Sequence, residues 1–323
     1  MGIMIETQNL TKKFGDFVAN NNINLQVDEQ EIKCIVGENG AGKSTLMNML
    51  YGVFKPTSGK VLLKGEELAM NSPTDAIRHG IGMVHQHFKL VPSFTVYENI
   101  LLGSEITKNG LIDRKQEIEK VRELIEEYHF QIDPMAKIQD ISVGLCQQVE
   151  ILKMLYRNVD ILILDEPTAV LTPQEVDQLM ENLKALRDQG KTIIVITHKL
   201  REVMYLSDSV TVIKAGQVIG NVRTKDTCES ELAQMMVGRD VVLTVKNEDG
   251  PAPKEEEAYR VENVCTVNDA NQEILHRVSL SVRKGEVLGI AGVEGNGQSE
   301  LIKVLTGNLK RQGHYQRMAG QAA

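Results

Sequence analysis

Residues Gly37–Ser44 read GENGAGKS, which satisfies G-x-x-x-x-G-K-[ST] at every position. An apolar run, IKCIV at 32–36, precedes the motif and TLMNML at 45–50 follows it. Strand, glycine loop and helix in that order leave a chain few folds. Glycines let the loop wrap so that successive N–H groups face an anion, and the positive end of the next helix faces it too. Lys43 adds a mobile charge for the β- and γ-phosphates of ATP, and the Ser44 hydroxyl is a ligand for Mg²⁺. Gly37, Glu38, Asn39, Gly40, Ala41, Gly42 and Thr45 are read as the rest of the nucleotide-binding loop.

Downstream, the pattern alternates. ILILD at 161–165 is a short apolar run of buried-strand type, and TIIVIT at 192–197 is another. Between them Thr172 and Glu175 form a capping box with Pro173 at the first helical position. Val176, Leu179, Met180, Leu183 and Leu186 then give a helical stripe that Gly190 ends. This β-α-β order predicts an α/β fold of the P-loop NTPase kind, with a mainly parallel sheet and crossover helices. A second helical region over 113–129, starting at Asp113 and Gln116, predicts a separate helical lobe.

Three further positions carry chemistry. Asp165 and Glu166 end a buried strand, where two adjacent acids are costly to desolvate without a partner. Asp165 fits as the carboxylate beside Mg²⁺, and Glu166 as the base that orients and deprotonates the attacking water. His198 ends the following strand and is read as a γ-phosphate contact. Gln86 is an uncharged side chain suited to touching metal and water. His85 and His87 flank it without an assigned role, since two nearby histidines are weak evidence of a metal site.

The chain also repeats itself. Val27–Gly52 aligns without a gap to Val282–Gly307 at an offset of 255. Ten of those 26 positions are identical: Val27, Glu31, Ile35, Gly37, Gly40, Gly42, Ser44, Leu46, Leu50 and Gly52. NINLQV and RVSLSV correspond just upstream, and both copies read as strand, loop and helix. In the second loop, however, Gln298 stands where Lys43 stands in the first, and Glu300 where Thr45 does. Gly, Pro and charge over 244–258 read as a solvated linker. The expected organisation is a first domain over 1–243, that linker, and an incomplete second domain over 259–323.

Charge and composition exclude some classes. Against 44 acidic residues stand 36 basic ones, a formal net charge of −8, so no global basic footprint for nucleic acid exists. There is no Trp to build a stacking platform. Cys34, Cys146, Cys228 and Cys265 make no C-x-x-C pair and read as packed thiols. No apolar run is long enough to span a bilayer and no secretory signal is visible, so any membrane role is expected to come through a partner.

Taken in order, Gly37–Ser44, Gln86, SVG at 142–144, Asp165–Glu166, TAVLTPQE and His198 resemble the ATP-binding-cassette ATPases over nearly the whole chain. The likeness is strongest to the tandem-cassette ATPases of bacterial monosaccharide and nucleoside importers. HQHFKLVPSFTVYENILLG at 85–103 and MMVGRDVVL at 235–243 are more similar to the nucleoside branch. That resemblance implies an antiparallel β subdomain and a helical lobe beside the parallel core, and the start of a second cassette. It implies that Phe14 stacks on adenine and that Ser142 and Gly144 belong to a signature motif capping the γ-phosphate held by the opposite cassette. The Gln86 segment then meets the membrane subunit.

Its implied partners are transmembrane permease subunits, a solute-binding protein, and a second cassette in cis or a second copy in trans. The implied place is the cytoplasmic face of the membrane, as a peripheral ATPase, with no nucleic-acid partner. Here the signature reads ISVGLCQQ, with Val143, Leu145, Cys146 and Gln148 departing from the family pattern. Head-to-tail pairing sets this altered signature against the altered loop at 292–299. On that reading the first loop faces a signature beyond residue 323, so slow turnover by this chain alone is expected. A ribosome- or nucleic-acid-associated tandem ATPase and an ATP-binding fragment without turnover are the alternatives.

Overall fold

The computed structural model describes residues 2–86, 88–238, 256–267, 273–292, 296–308 and 312–316, the last of these as backbone only. They fall into two compact units, Met1–Leu243 and Thr244–Ala323.

The first unit opens with an antiparallel hairpin, β1 (Ile3–Phe14) and β2 (Phe17–Asp28), followed by β3 (Ile32–Val36) and α1 (Lys43–Leu50). Strands β4 (Ser58–Leu63) and β5 (Glu66–Glu67) return to that hairpin, giving an antiparallel sheet ordered β2-β1-β4-β5. Helix α2 (Pro73–Arg78) leads into β6 (Ile81–Val84). A helical region holds α3 (Val96–Leu101), the small hairpin β7 (Thr107–Lys108) and β8 (Leu111–Ile112), α4 (Arg114–Glu127) and α5 (Val143–Tyr156). The chain then alternates β9 (Ile161–Asp165), α6 (Pro173–Asp188), β10 (Thr192–Ile196) and α7 (Leu200–Leu206). It ends this unit with β11 (Ser209–Lys214), β12 (Gln217–Arg223) and α8 (Glu229–Val237).

The central sheet is ordered β12-β11-β3-β10-β9-β6. Its strands from β11 to β6, five in all, run parallel, and β12 joins the edge antiparallel. The apolar runs of these strands are buried on both faces, and side chains of a strand alternate between them. Leu162, Leu164, Ile193 and Val195 enter a core shared with the helical region. Ile161, Ile163, Ile194 and Ile196 enter a second core with α1 and the antiparallel sheet. The helical lobe expected over 113–129 is built by α4 packing on α3 and α5. Val121, Leu124 and Ile125 of α4 belong to the same continuous core as one sheet face. Capping follows the sequence closely: Asp113 accepts from Gln116 N at 3.2 Å, and Thr172 and Glu175 complete both halves of the box on α6.

Cys34 and Cys146 are packed, but Cys228 is exposed and Cys265 half-buried, so the packed-thiol expectation holds for two of the four. Burial pushes the Cys34 thiol up to about 12. Under native conditions at pH 8 Ellman's reagent is expected to modify Cys228 and to spare Cys34 until denaturant is added. Labelling of Cys34 at the rate of Cys228 would contradict the buried placement.

The second unit holds β13 (Glu257–Val267), β14 (Glu273–Arg283), α9 (Gln298–Leu305) and β15 (Gln312–Gln316), with sheet order β14-β13-β15. The 255-residue offset persists in three dimensions. Both ends of α9 lie 255 positions after those of α1, and β14 ends 255 after β2. One expectation fails: 286–292 forms no strand, although its counterpart β3 is central in the first unit. Among the described residues of the second unit, none forms a parallel strand beside it. Val287 is accordingly 96% exposed where Ile32 is 0%. A β-run needs neighbours for its N–H and C=O groups, and here its pattern alone does not make it a strand. Val293, Glu294, Gly295, His87, most of the 244–258 linker and the tail after 316 lie outside the described residues. Among the described residues no helix is long and apolar enough to cross a membrane.

Candidate functional site

Because β3, β10, β9 and β6 are parallel neighbours, their C-terminal ends share one edge. Such an edge is where ligands bind in open α/β sheets. From it emerge the 37–42 loop after β3, Glu166 after β9, Thr197 and His198 after β10, and His85 and Gln86 after β6. A cavity of about 510 Å³ opens there, lined by Asn39, Gly40, Gly42, Lys43, Ser44, Thr45, Gln86 and Glu166.

The loop geometry has local causes. A Cβ at Gly37 would collide with the carbonyl of Ile213 on β11. Gly42 is the N-cap of α1 with φ 99°, and a Cβ there would sit 2.5 Å from the carbonyl of Ala19. An L-residue in that left-handed region costs roughly 1–2 kcal/mol before any clash. Gly42→Ala is therefore expected to lower unfolding stability by at least about that much and to impair nucleotide binding. Urea denaturation measures the first and calorimetry the second; an unchanged midpoint would refute the strain.

Lys43 lies almost fully buried, its Nζ donating to the carbonyls of Gly37 (2.8 Å) and Glu38 (2.9 Å). Burial holds its ammonium below the usual lysine range, with the charges of Glu166 and Asp165 pulling it back up. Burial raises the Asp165 carboxyl. The Ser44 hydroxyl pulls the other way, Glu166 raises it further and Lys43 opposes. Glu166 has φ 46°, a left-handed conformation unusual for a non-glycine residue. Its N–H still bonds Ile196 O on β10 at 2.9 Å, while its Oε1 lies 3.1 Å from His198 Nδ1. A carboxylate oxygen accepts, so Nδ1 of His198 carries the proton in that contact. Glu202 steadies this corner by accepting from Thr168 Oγ1 at 2.7 Å, joining the loop after β9 to α7.

The donor set suits a nucleotide with a hard cation. Loop N–H groups and Lys43 match phosphate. Ser44 and Asp165 both offer oxygen ligands beside the loop. No cluster of three or more metal-ligating side chains exists among the described residues. That pattern fits Mg²⁺, which is held by one or two protein oxygens plus phosphates rather than by an all-protein cage.

Other residues lie elsewhere. Ser142 and Gly144 do not line this cavity; they face a smaller one of about 170 Å³ with Glu175. Phe14 is exposed and packs edge-on against Phe54 at 5.4 Å, while Phe17, its partner across the hairpin turn, lines the large cavity. Reading the sequence missed Phe17, Asn20 and Glu202. Asn20 is fully buried and donates Nδ2 to Gly42 O at 3.1 Å. Nothing local marks it; only the approach of β2 to the loop gives it a role. In the second unit Gly297 caps α9 with φ 87°, matching Gly42. The amide of Gln298 lies against Gly292 much as Lys43 lies against Gly37.

A glycine loop folded over a buried lysine, on the same sheet edge as an acid pair ending the next parallel strand but one, defines a P-loop nucleotide-binding protein. Residues 20–169 match the family model described as ABC transporter. The guanosine import ATP-binding protein NupO of Bacillus subtilis is 51% identical over 310 residues, 96% of this chain and 60% of that relative. The nucleoside import ATP-binding protein NupA of Lactococcus lactis is 48% identical over 95% of this chain and 60% of its own length. The glucose import ATP-binding protein TsgD13 of Haloferax volcanii is 46% identical over 94% and 60%. A crystal structure of an ATP-binding cassette of an ABC transporter in its ADP conformation superposes with a TM-score of 0.65 at 25% identity. It covers 74% of this chain and 100% of that one. The CbiO1 structure from Clostridium perfringens gives 0.62 at 28%, covering 73% and 93%. The domain over residues 20–169 belongs to the ATP-binding-cassette family, whose members bind ATP. The chain spans about 60% of the length of the curated relatives it matches.

Proposed function

We propose that this chain is the ATP-binding part of an importer that couples ATP binding and hydrolysis to uptake of a small polar solute, a nucleoside in preference to a simple sugar. The convergence of Lys43, Ser44, Asp165, Glu166, His198 and Gln86 on one edge of the parallel sheet carries the ATPase reading. The solute class rests on likeness: the relatives named for guanosine and nucleoside import are 51% and 48% identical, those named for glucose and ribose import 46% and 38%.

In this reading the 37–45 loop and Lys43 hold the phosphates of ATP. Bound Mg²⁺ would neutralise phosphate charge, with Ser44, Asp165 and Gln86 as the protein groups near it. Glu166 orients and deprotonates water, with His198 fixing its carboxylate and facing the γ-phosphate. Phe14, or Phe17 on the cavity wall, stacks on the base. Ser142 and Gly144 face the phosphate of an opposing cassette, supplied in the same protein or by a second copy. Residues 259–323 read as the beginning of a second cassette, supported by the shared 255-residue offset and the matching caps at Gly42 and Gly297. Permease subunits and a solute-binding protein are the corresponding partners, at the cytoplasmic face of a membrane.

Calorimetry on the purified chain is the direct test. One ATP per chain is expected in the presence of Mg²⁺, with weaker binding after chelation, since only the first loop carries a lysine. Absence of binding, or two equivalent sites, would overturn this assignment.

A further inference from the structure

Glu175 makes a contact that its capping role does not require. One carboxylate oxygen, Oε2, closes the α6 box by accepting from Thr172 N and Oγ1, both at 3.0 Å. The other, Oε1, turns to the N-terminus of α5 and accepts from Ser142 Oγ at 2.8 Å and Gly144 N at 3.0 Å. These residues are 33 and 31 positions away in sequence. A Cβ on Gly144 would lie 2.5 Å from Oε1, so this glycine makes room for the carboxylate of its own chain. Ser142 has one hydroxyl proton and Gly144 one amide proton, and both are given to Glu175.

We propose that Glu175 is a positioning residue that latches the first turn of α5 at 142–144, holding in cis the donors that an opposing nucleotide's γ-phosphate requires. The inference rests on the reading of Ser142 and Gly144 as phosphate-facing. An anion approaching this helix N-terminus meets a carboxylate already seated on its donors, so closure of two cassettes requires Oε1 to leave. The latch makes closure conditional on a ligand whose charge and geometry outcompete a carboxylate. It also gives Gly144 a reason for being glycine in the separated state.

Glu175→Gln separates the latch from the cap. A glutamine carbonyl still accepts from Thr172, as capping boxes use Glu or Gln alike. Its amide nitrogen then faces Ser142 and Gly144 and cannot accept from them. Self-association of the full 323-residue chain in Mg-ATP, measured by analytical ultracentrifugation, reports closure. Glu166→Gln in both proteins suppresses hydrolysis. Adding Glu175→Gln is expected to tighten ATP-dependent association about tenfold, with no change in ADP and an unchanged melting temperature. A purely structural role would shift the melting temperature and affect both nucleotide states alike, and that result overturns the latch. Unchanged or weaker association in ATP overturns it too, as does the absence of association in both proteins while each binds ATP. If neither binds ATP, the nucleotide reading of the cavity fails, and the latch with it. Should Glu175→Gln melt early, Thr172→Ala, which loosens the same cap but leaves Oε1 in place, is expected to melt early without tightening association. Tightening by Thr172→Ala as well would refute the assignment.

Discussion

Glu166→Gln is expected to keep Mg-ATP bound and to lose ATP turnover by about 10²–10⁴-fold, the usual contribution of a positioned general base. The exchange conserves shape. Gln enters the same left-handed backbone position, φ 46°, and its N–H still reaches Ile196 O. Its side-chain carbonyl still accepts from His198 Nδ1, whose partner in the native site is Glu166 Oε1 at 3.1 Å. What disappears is the proton acceptor. Affinity should therefore change little while phosphate release collapses, the signature of an interaction needed only in the transition state. Calorimetry and a phosphate-release assay on one preparation read the two quantities. Turnover within a few-fold of the parent would remove Glu166 as the base and point to another group on the same edge.

Lys43→Ala produces the opposite split. Lys43 is the one cation among the residues lining the large cavity. Its ammonium is anchored on two loop carbonyls, where burial disfavours its charge. A phosphate arriving there restores the lost solvation with a charge-assisted contact of about 1.5–3 kcal/mol. Removing the lysine should weaken ATP binding by about 10- to 100-fold, whatever happens to the chemical step. Lys43→Gln installs the residue that Gln298 supplies in the second loop and is expected to weaken binding comparably. Affinity close to that of the parent in either variant would show that backbone donors alone hold the phosphates. The assignment of the second loop as the weaker one would then lose its basis.

Much of this was legible before any coordinates. The Gly37–Ser44 loop is a local device: glycine conformation, successive N–H groups and a following helix act within a dozen neighbouring residues, so spacing suffices to read it. The box at Thr172 and Glu175 was legible for the same reason. Asp165, Glu166 and His198 were recognisable as polar groups ending buried strands. Their meeting was not, because it depends on β9 and β10 being neighbours with Asp165 opposite Ile196. Asn20 and Phe17 carried no mark at all; they matter only because β2 passes the loop.

The 255-residue repeat marks the boundary between the two kinds of knowledge. Sequence alone established that residues 27–52 and 282–307 share a pattern, that one keeps its lysine and the other does not, and that Gly37–Ser44 satisfies G-x-x-x-x-G-K-[ST]. Those conclusions depend on residue type and short-range geometry. Folding reproduced the two glycine-capped helices but not the two strands: Ile32–Val36 is buried between β10 and β11, whereas Val287, Leu288 and Ile290 stay exposed. It likewise brought Glu175 to Ser142 and set the order of strands along the nucleotide edge. A cap completes its hydrogen bonds within a turn or two of chain. A strand, a shared edge and a contact across 33 residues need partners that the sequence does not place beside them.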